Sequence, residues 1–239
     1  MLPHSRTLSQ PPRGFRPSPA VGVVRIAWRP VEIRELAVPG SFEVTPHQLH
    51  DERGTFLEWY RWDALEQAVG HPLRLAQANC SVSSSGVMRG IHYADVPPGQ
   101  AKYVTCARGT VLDAVVDIRV GSPTFGSWDL VRLDEDTRRA VYVCEGLGHA
   151  FIALTRGATV VYLCSEVHHP ERERRISALD AEIGIAWPRN PRPVLSRTDA
   201  SAPGLSEAAE RGLLPRWTDC VAYAERLRTT TAVVADGRQ

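Results

Sequence analysis

Six polar side chains between residues 92 and 162 stand among small and apolar neighbours and are of types that move or hold protons. The stretch "GVMRGIHYADVPPGQAKYV", residues 86–104, carries His92 and Lys102. "TVLDAVVDI" adds Asp113 and Asp117, "EGLGHAF" adds His149, and "VVYLCSE" adds Tyr162. Brought to one cavity, they would supply a base, an ammonium, a phenol and carboxylates. An imidazole titrates near neutral pH and suits general-base work. Each side chain also has a plainer reading. A lone inward histidine is usually a hydrogen-bonded core residue, and a tyrosine among valines is usually core. Asp117-Ile118-Arg119 reads most simply as an ion pair at a strand end. The chemical reading depends on their convergence.

The elements that would bring them together read as strands. "GVMRGIHY", "KYVTCA", "TVLDAVVDI", "GSWDLVRL", "AVYVC", "HAFIAL" and "TVVYLCSEV" follow one another, separated by turns such as "DVPPGQ" and "RVGSPTFG". Many short strands at intervals of about ten residues predict an all-β sandwich or barrel, with the jelly roll as the leading candidate. Strict alternation would put Arg89, Ile91 and Tyr93 on one face of their strand. Met88, Gly90 and His92 would take the other, inward face. The same rule puts Asp113 and Asp117 on one face with Val111 and Val115. "VEIREL" and "SFEVTPHQLHDERGTFLEWY" predict earlier strands, and "RWDALEQAVG" a short helix closed by Gly70. Helical composition returns in "PGLSEAAERGLLP" and "WTDCVAYAERLRT". The chain therefore divides into an extension rich in Pro, Arg and Ser (1–30), a β domain (31–200) and a helical tail (201–239). The extension is expected to be disordered.

Bulk properties narrow the function. A formal net charge of +1 gives no electrostatic reason to expect a nucleic acid or an anionic membrane as partner. Any phosphate must be held by a few placed arginines. The five cysteines form no C-x-x-C pair, which predicts reduced thiols and a cytoplasmic protein. No apolar run approaches the ~20 residues of a membrane span. No dinucleotide fingerprint is found, and no metal or organic cofactor is expected.

The run from about Ser41 to Pro188 resembles the dTDP-4-dehydrorhamnose 3,5-epimerase family, the cupin-type sugar-nucleotide epimerases. The likeness is carried by "DERGTFLEWY", "QANCSVSSSGVMRGIHY", "GQAKYV", "ARGTVLDAVVDIRVGSPTFGSW", "EGLGHAF" and "IGIAWP". The long C-terminal tail looks more like the enzymes of antibiotic deoxysugar pathways. The resemblance implies a cupin-type jelly roll and epimerisation of a dTDP-4-keto-6-deoxyhexose at carbon 3, carbon 5 or both. His92 would be the general base, Asp199 of "LSRTD" its orienting carboxylate, and Tyr162 the acid on the opposite face of the sugar. Lys102 and His149 would stand near the carbonyl oxygen. Arg53 and Arg89 would bind the diphosphate, with Glu58, Gln77 and Asn79 helping to hold the nucleotide. The Arg53–Glu58 stretch would come from the neighbouring subunit of a homodimer. These roles suit the residue types: histidine near pKa ~6.5 can take a proton beside a ketone, and a lysine can stabilise the oxyanion without a metal.

Three positions depart from the family pattern. "VHH", Val167 to His169, stands where an aromatic pair is frequent, Cys144 stands before "EG", and Cys80 stands in "QANCS". A competing reading is a metal-dependent cupin, a dioxygenase or isomerase, with His92 and His149 as ligands. The usual H-x-H spacing is missing from "HYAD". A third reading is a sugar-nucleotide binding protein without catalysis.

Overall fold

A computed structural model describes the backbone of residues 31–236 and the side chains of 31–230; the N-terminal extension expected over 1–30 lies outside the described residues. In chain order come β1 (Glu32–Glu35), β2 (Ser41–Thr45), β3 (Gln48–Asp51), β4 (Gly54–Leu57), α1 (Trp62–Val69), β5 (Gln77–Ser83) and β6 (Met88–Ala94). Next are β7 (Lys102–Arg108), β8 (Thr110–Val116), β9 (Trp128–Asp134), β10 (Ala140–Val143), β11 (Gly148–Ala153) and β12 (Ala158–Cys164). The chain continues through β13 (Glu173–Arg175), α2 (Arg197–Ala200), α3 (Leu205–Glu210) and α4 (Trp217–Asp236). One sheet has the order β1-β2-β10-β7-β12-β5 and the second β13-β6-β11-β8-β9, while β3 and β4 form a separate hairpin. All the strand pairings are antiparallel. This is the expected all-β jelly roll, with its helices mainly at the C-terminal end.

Period-2 alternation sorts the side chains into three apolar layers. Val104, Val111, Val115, Val141, Phe151 and Val160 fill the space between the sheets. On the outer face of the five-stranded sheet, Met88, Ile91, Ala114 and Ile152 pack against Ile183, Leu205, Ala208 and Leu214. The helical tail is thus part of the main core. On the outer face of the six-stranded sheet, Leu65 and Val69 of α1 cover Val44, Tyr103 and Tyr142. Gly70 ends α1 in the left-handed conformation, φ 90°, donating its N–H back to the Glu66 carbonyl.

Two sequence expectations change here. In β6 the alternation is broken: Met88, Ile91 and Tyr93 share the outer layer, so Arg89 and His92, three apart, both face inward. The cause is a bulge. His149 pairs with His92 and Phe151 with Arg89, so β6 carries one more residue than β11 between the two pairs. Asp117 also leaves the cavity. It lies past the end of β8, fully buried, where it accepts hydrogen bonds from Arg119, Ser122 and Thr124. The strand-end ion pair is the right account of it, and the pair locks the turn into β9.

Behind β10, Glu145 lies in a cavity lined also by His71 and by Cys220, Ala224 and Arg228 of α4. Burial pushes its carboxyl up to about 7, against a backbone hydrogen bond and a long 3.5 Å contact from Ser165 Oγ. Below about pH 4.5 the group is protonated whether the chain is folded or unfolded, and it contributes nothing. Between about 4.5 and 7 the unfolded chain releases the proton and the folded chain keeps it, so stability falls as pH rises. The full loss, about 3 kcal/mol at most, persists above that window. Glu145→Gln should therefore be more stable than wild type at pH 8 and show a flatter pH dependence. Urea denaturation of both proteins at pH 5 and pH 8 checks this; parallel losses in the two would refute it.

Candidate active site

Where the apolar filling between the sheets stops, a cavity of about 430 Å³ opens. One wall is Gln77 and Asn79 of β5, Lys102 of β7 and Tyr162 of β12; the other is His92 of β6 with Glu173, Arg174 and Arg175 of β13. Gln100 and His168 complete the rim.

His92 is held from behind. Its Nε2 lies 2.7 Å from Asp199 Oδ1, which is only 5 % exposed. Asp199 is placed by α2, whose N-cap Ser196 accepts a hydrogen bond from the Asp199 N–H at 3.0 Å. Burial pushes the Asp199 carboxyl up, but the contacts with His92, Ser196 and Arg175 more than offset it and hold it below its ordinary value. The carboxylate can thus accept the Nε2 proton and leave Nδ1 free.

Lys102 is buried, and burial pushes its ammonium down, with Cys164 and Glu173 opposing. A lysine so placed is readier to give a proton or a strong hydrogen bond to a developing oxyanion. Tyr162 is pushed up by burial, against the nearby charge of Arg89, so its phenol stays protonated near neutral pH. Gln77 and Asn79 are tied together, Gln77 Nε2 donating to Asn79 Oδ1 at 2.8 Å, and Gln77 Oε1 accepts from the His168 N–H. Arg89 donates from Nε to Ser83 Oγ at 3.2 Å.

Comparison with known proteins decides the lineage. The sequence profile of the dTDP-4-dehydrorhamnose 3,5-epimerase family matches residues 35–207. The chain belongs to this family. It is 54% identical over 195 residues to the dTDP-4-dehydrorhamnose 3,5-epimerase of Mycolicibacterium smegmatis, covering 82% of this chain and 96% of that one. NovW, a 4-keto-6-deoxy sugar epimerase from the novobiocin biosynthetic gene cluster of Streptomyces spheroides, superposes with a TM-score of 0.78 at 53% identity, covering 80% and 96%. ChmJ, a 3'-monoepimerase from Streptomyces bikiniensis in complex with dTDP-quinovose, gives 0.80 at 46% identity, covering 81% and 98%. The metal-dependent cupin reading finds no support among these relatives. Among the described residues, no three His, Cys, Asp or Glu side chains are grouped as metal ligands.

Of the residues singled out in the sequence, His92, Lys102, Tyr162, Gln77 and Asn79 share the cavity, with Asp199 directly behind His92. His149 faces inward opposite His92 in the β11–β6 ladder, with its Nε2 2.8 Å from Asp113 Oδ2. Asp113 is fully buried, so this pair takes His149 toward a structural role while keeping it beside the base. Arg53 and Glu58 are not brought to this cavity. Arg53 sits at the tip of the β3–β4 hairpin, ion-paired with Asp51 and 85% exposed, and Glu58 is 3.6 Å from Arg61. Val167 is exposed, while His168 lines the cavity and pairs with Glu173 at 3.4 Å.

Sequence reasoning missed Gln100, Glu173, Arg174 and Arg175. "ERERR", residues 171–175, has the look of a solvated charge run, and only its pairing as β13 alongside β6 turns it toward the cavity.

The bulge in β6 needs a glycine. Gly90 has φ +116°, and a Cβ there would stand 2.5 Å from the His149 carbonyl oxygen and 2.6 Å from Ala150 Cα. Backbone in that region costs a larger residue of order 1–3 kcal/mol before the clash is counted. Gly90→Ala should lower the urea midpoint and, by moving Arg89 and His92 together, abolish function in any folded fraction. A variant with wild-type stability would refute the close-approach argument.

Proposed function

We propose that the protein is an epimerase of dTDP-4-keto-6-deoxyhexoses, an isomerase working at carbon 3, carbon 5 or both, in deoxysugar biosynthesis. The observation that carries this reading is the arrangement of His92, backed by Asp199, on one wall of a cavity whose other wall holds Lys102 and Tyr162. The printed names of the relatives compared above, a dTDP-4-dehydrorhamnose 3,5-epimerase, a 4-keto-6-deoxy sugar epimerase and a 3'-monoepimerase bound to dTDP-quinovose, point to the same substrate class.

The chemistry follows from these positions. A hydrogen on the carbon beside the ketone is acidic because its anion is an enolate. His92 Nδ1 takes that proton while Nε2–H stays bonded to Asp199, which stabilises the imidazolium. Charge moves to the carbonyl oxygen, where Lys102 donates in place of a Lewis acid. Tyr162 returns a proton from the other face, inverting the centre. Arg89 engages the diphosphate, and Gln77 and Asn79 hold the nucleotide side. Arg53 and Glu58 reach a neighbouring subunit's cavity in a homodimer, which accounts for a hairpin with Phe56 61% exposed and Arg53 at its tip. The proposed location is the cytoplasm, where free thiols such as Cys106 and Cys164 stay reduced. No helix among the described residues is long and apolar enough to cross a membrane.

Proton NMR of the 4-keto sugar nucleotide in deuterated water tests the mechanism. His92→Ala should stop deuterium entry at every carbon beside the ketone, a loss of about 10⁴-fold or more, with nucleotide binding retained. Tyr162→Phe should still admit deuterium from the original face but yield no inverted product. Near wild-type exchange in the His92 variant would make His92 a structural histidine and end this reading.

The subunit arrangement has its own test. The protein should scatter light as a dimer at micromolar concentration, and Arg53→Ala should weaken dTDP binding although Arg53 lies outside the cavity of its own protomer. A monodisperse monomer would contradict the shared site.

A further inference from the structure

Asp199 Oδ1 faces two nitrogen donors. His92 Nε2 lies 2.7 Å away and Arg175 Nη1 3.7 Å away. They come from adjacent strands, for Arg175 is the register partner of His92 across the β13–β6 ladder. Neighbouring Arg174 is engaged elsewhere, donating to Asp95 Oδ2 at 2.7 Å and to the Glu171 carbonyl at 2.9 Å. Arg175 has Asp199 as its one side-chain partner among the described residues, and its guanidinium borders the cavity.

We propose that Arg175 is a positioning residue that acts through Asp199 to hold His92 in its basic tautomer. The inference rests on the epimerase reading above. For Nδ1 to accept a proton from the sugar, Nε2 must carry the ring hydrogen and donate it to Asp199, so Asp199 must be ionised. In that resting state the imidazole is neutral. A nearly buried carboxylate would then have no opposite charge without Arg175, and such a group tends to take up a proton. A protonated Asp199 would donate to Nε2, the ring hydrogen would move to Nδ1, and the base would be blocked. Once His92 has accepted the substrate proton, the imidazolium becomes the nearer countercharge. Arg175 thus covers the half of the cycle in which His92 is uncharged, and a guanidinium can do so because it keeps its charge at any working pH.

The test is a double-mutant cycle read by deuterium exchange into a dTDP-4-keto-6-deoxyhexose, with dTDP affinity measured alongside. Arg175→Gln should slow exchange by about 10–100-fold, the range typical for a group that orients a working ligand, with dTDP affinity unchanged. Arg175→Lys should restore most of the rate. In an Asp199→Asn background, Arg175→Gln should cost nothing further, because the carboxylate it serves is gone. A wild-type rate in Arg175→Gln overturns the proposal. So does the same fold-loss in both backgrounds, or a loss explained by weaker dTDP binding. Absence of exchange in the wild-type protein is a different outcome: it removes the epimerase reading itself, and this inference with it.

Discussion

At Gly90 the backbone of β6 comes within a Cβ radius of β11, and the extra residue taken up there turns His92 inward on the same side as Arg89. Everything in the cavity is arranged around that turn. It sets His92 opposite His149 on one side and Arg175 on the other, and within reach of Asp199 at its back. Without it, the period-2 rule would send one of Arg89 and His92 into the apolar layer against Ile183 and Leu205. A charged or titrating group there would be buried without a partner.

The cavity exists because the inner layer is left unfinished. Along β12, Val160 still packs into the inter-sheet core, while Tyr162, next on the same face, packs against it only in part. Along β7, Val104 is core and Lys102 lines the cavity wall. The polar groups are thus the continuation of the same alternating faces that build the core, placed where apolar filling gives out. Their burial does chemical work: it disfavours the charge on Lys102 and keeps the proton on Tyr162.

The strands were legible because alternation and turn residues report directly on them, and the inward faces of β7, β8, β11 and β12 follow the simple rule. The exceptions have separate causes. In β6 only Met88 and Arg89 fall on the face opposite to the expected one, because a bulge needs the partner strand, β11, to define it, and no local pattern carries that information. Asp117 was grouped with Asp113 because their spacing of four fits one strand face, but the strand ends at Val116 between them. Glu173 and Arg175 were passed over because a three-residue edge strand rich in charge has no alternation to read. Asp199 was reachable only through family likeness, since 107 positions separate it from His92. Arg53 and Glu58 carry the family signature yet lie outside the cavity, because the β3–β4 hairpin stands apart from both large sheets.

That separation has a consequence for how the molecule becomes competent. The carboxylate that orients His92 rides on α2, just ahead of the tail that contributes Leu205, Ala208 and Leu214 to the layer behind β6. His92 thus takes its backing group from a segment next to the one that covers the outer face of its own sheet. The packing of that segment on the outer face of the five-stranded sheet and the aim of the imidazole go together. The aim of the imidazole is therefore tied to the outer layer: whatever loosens Leu205, Ala208 or Leu214 also loosens the group behind His92.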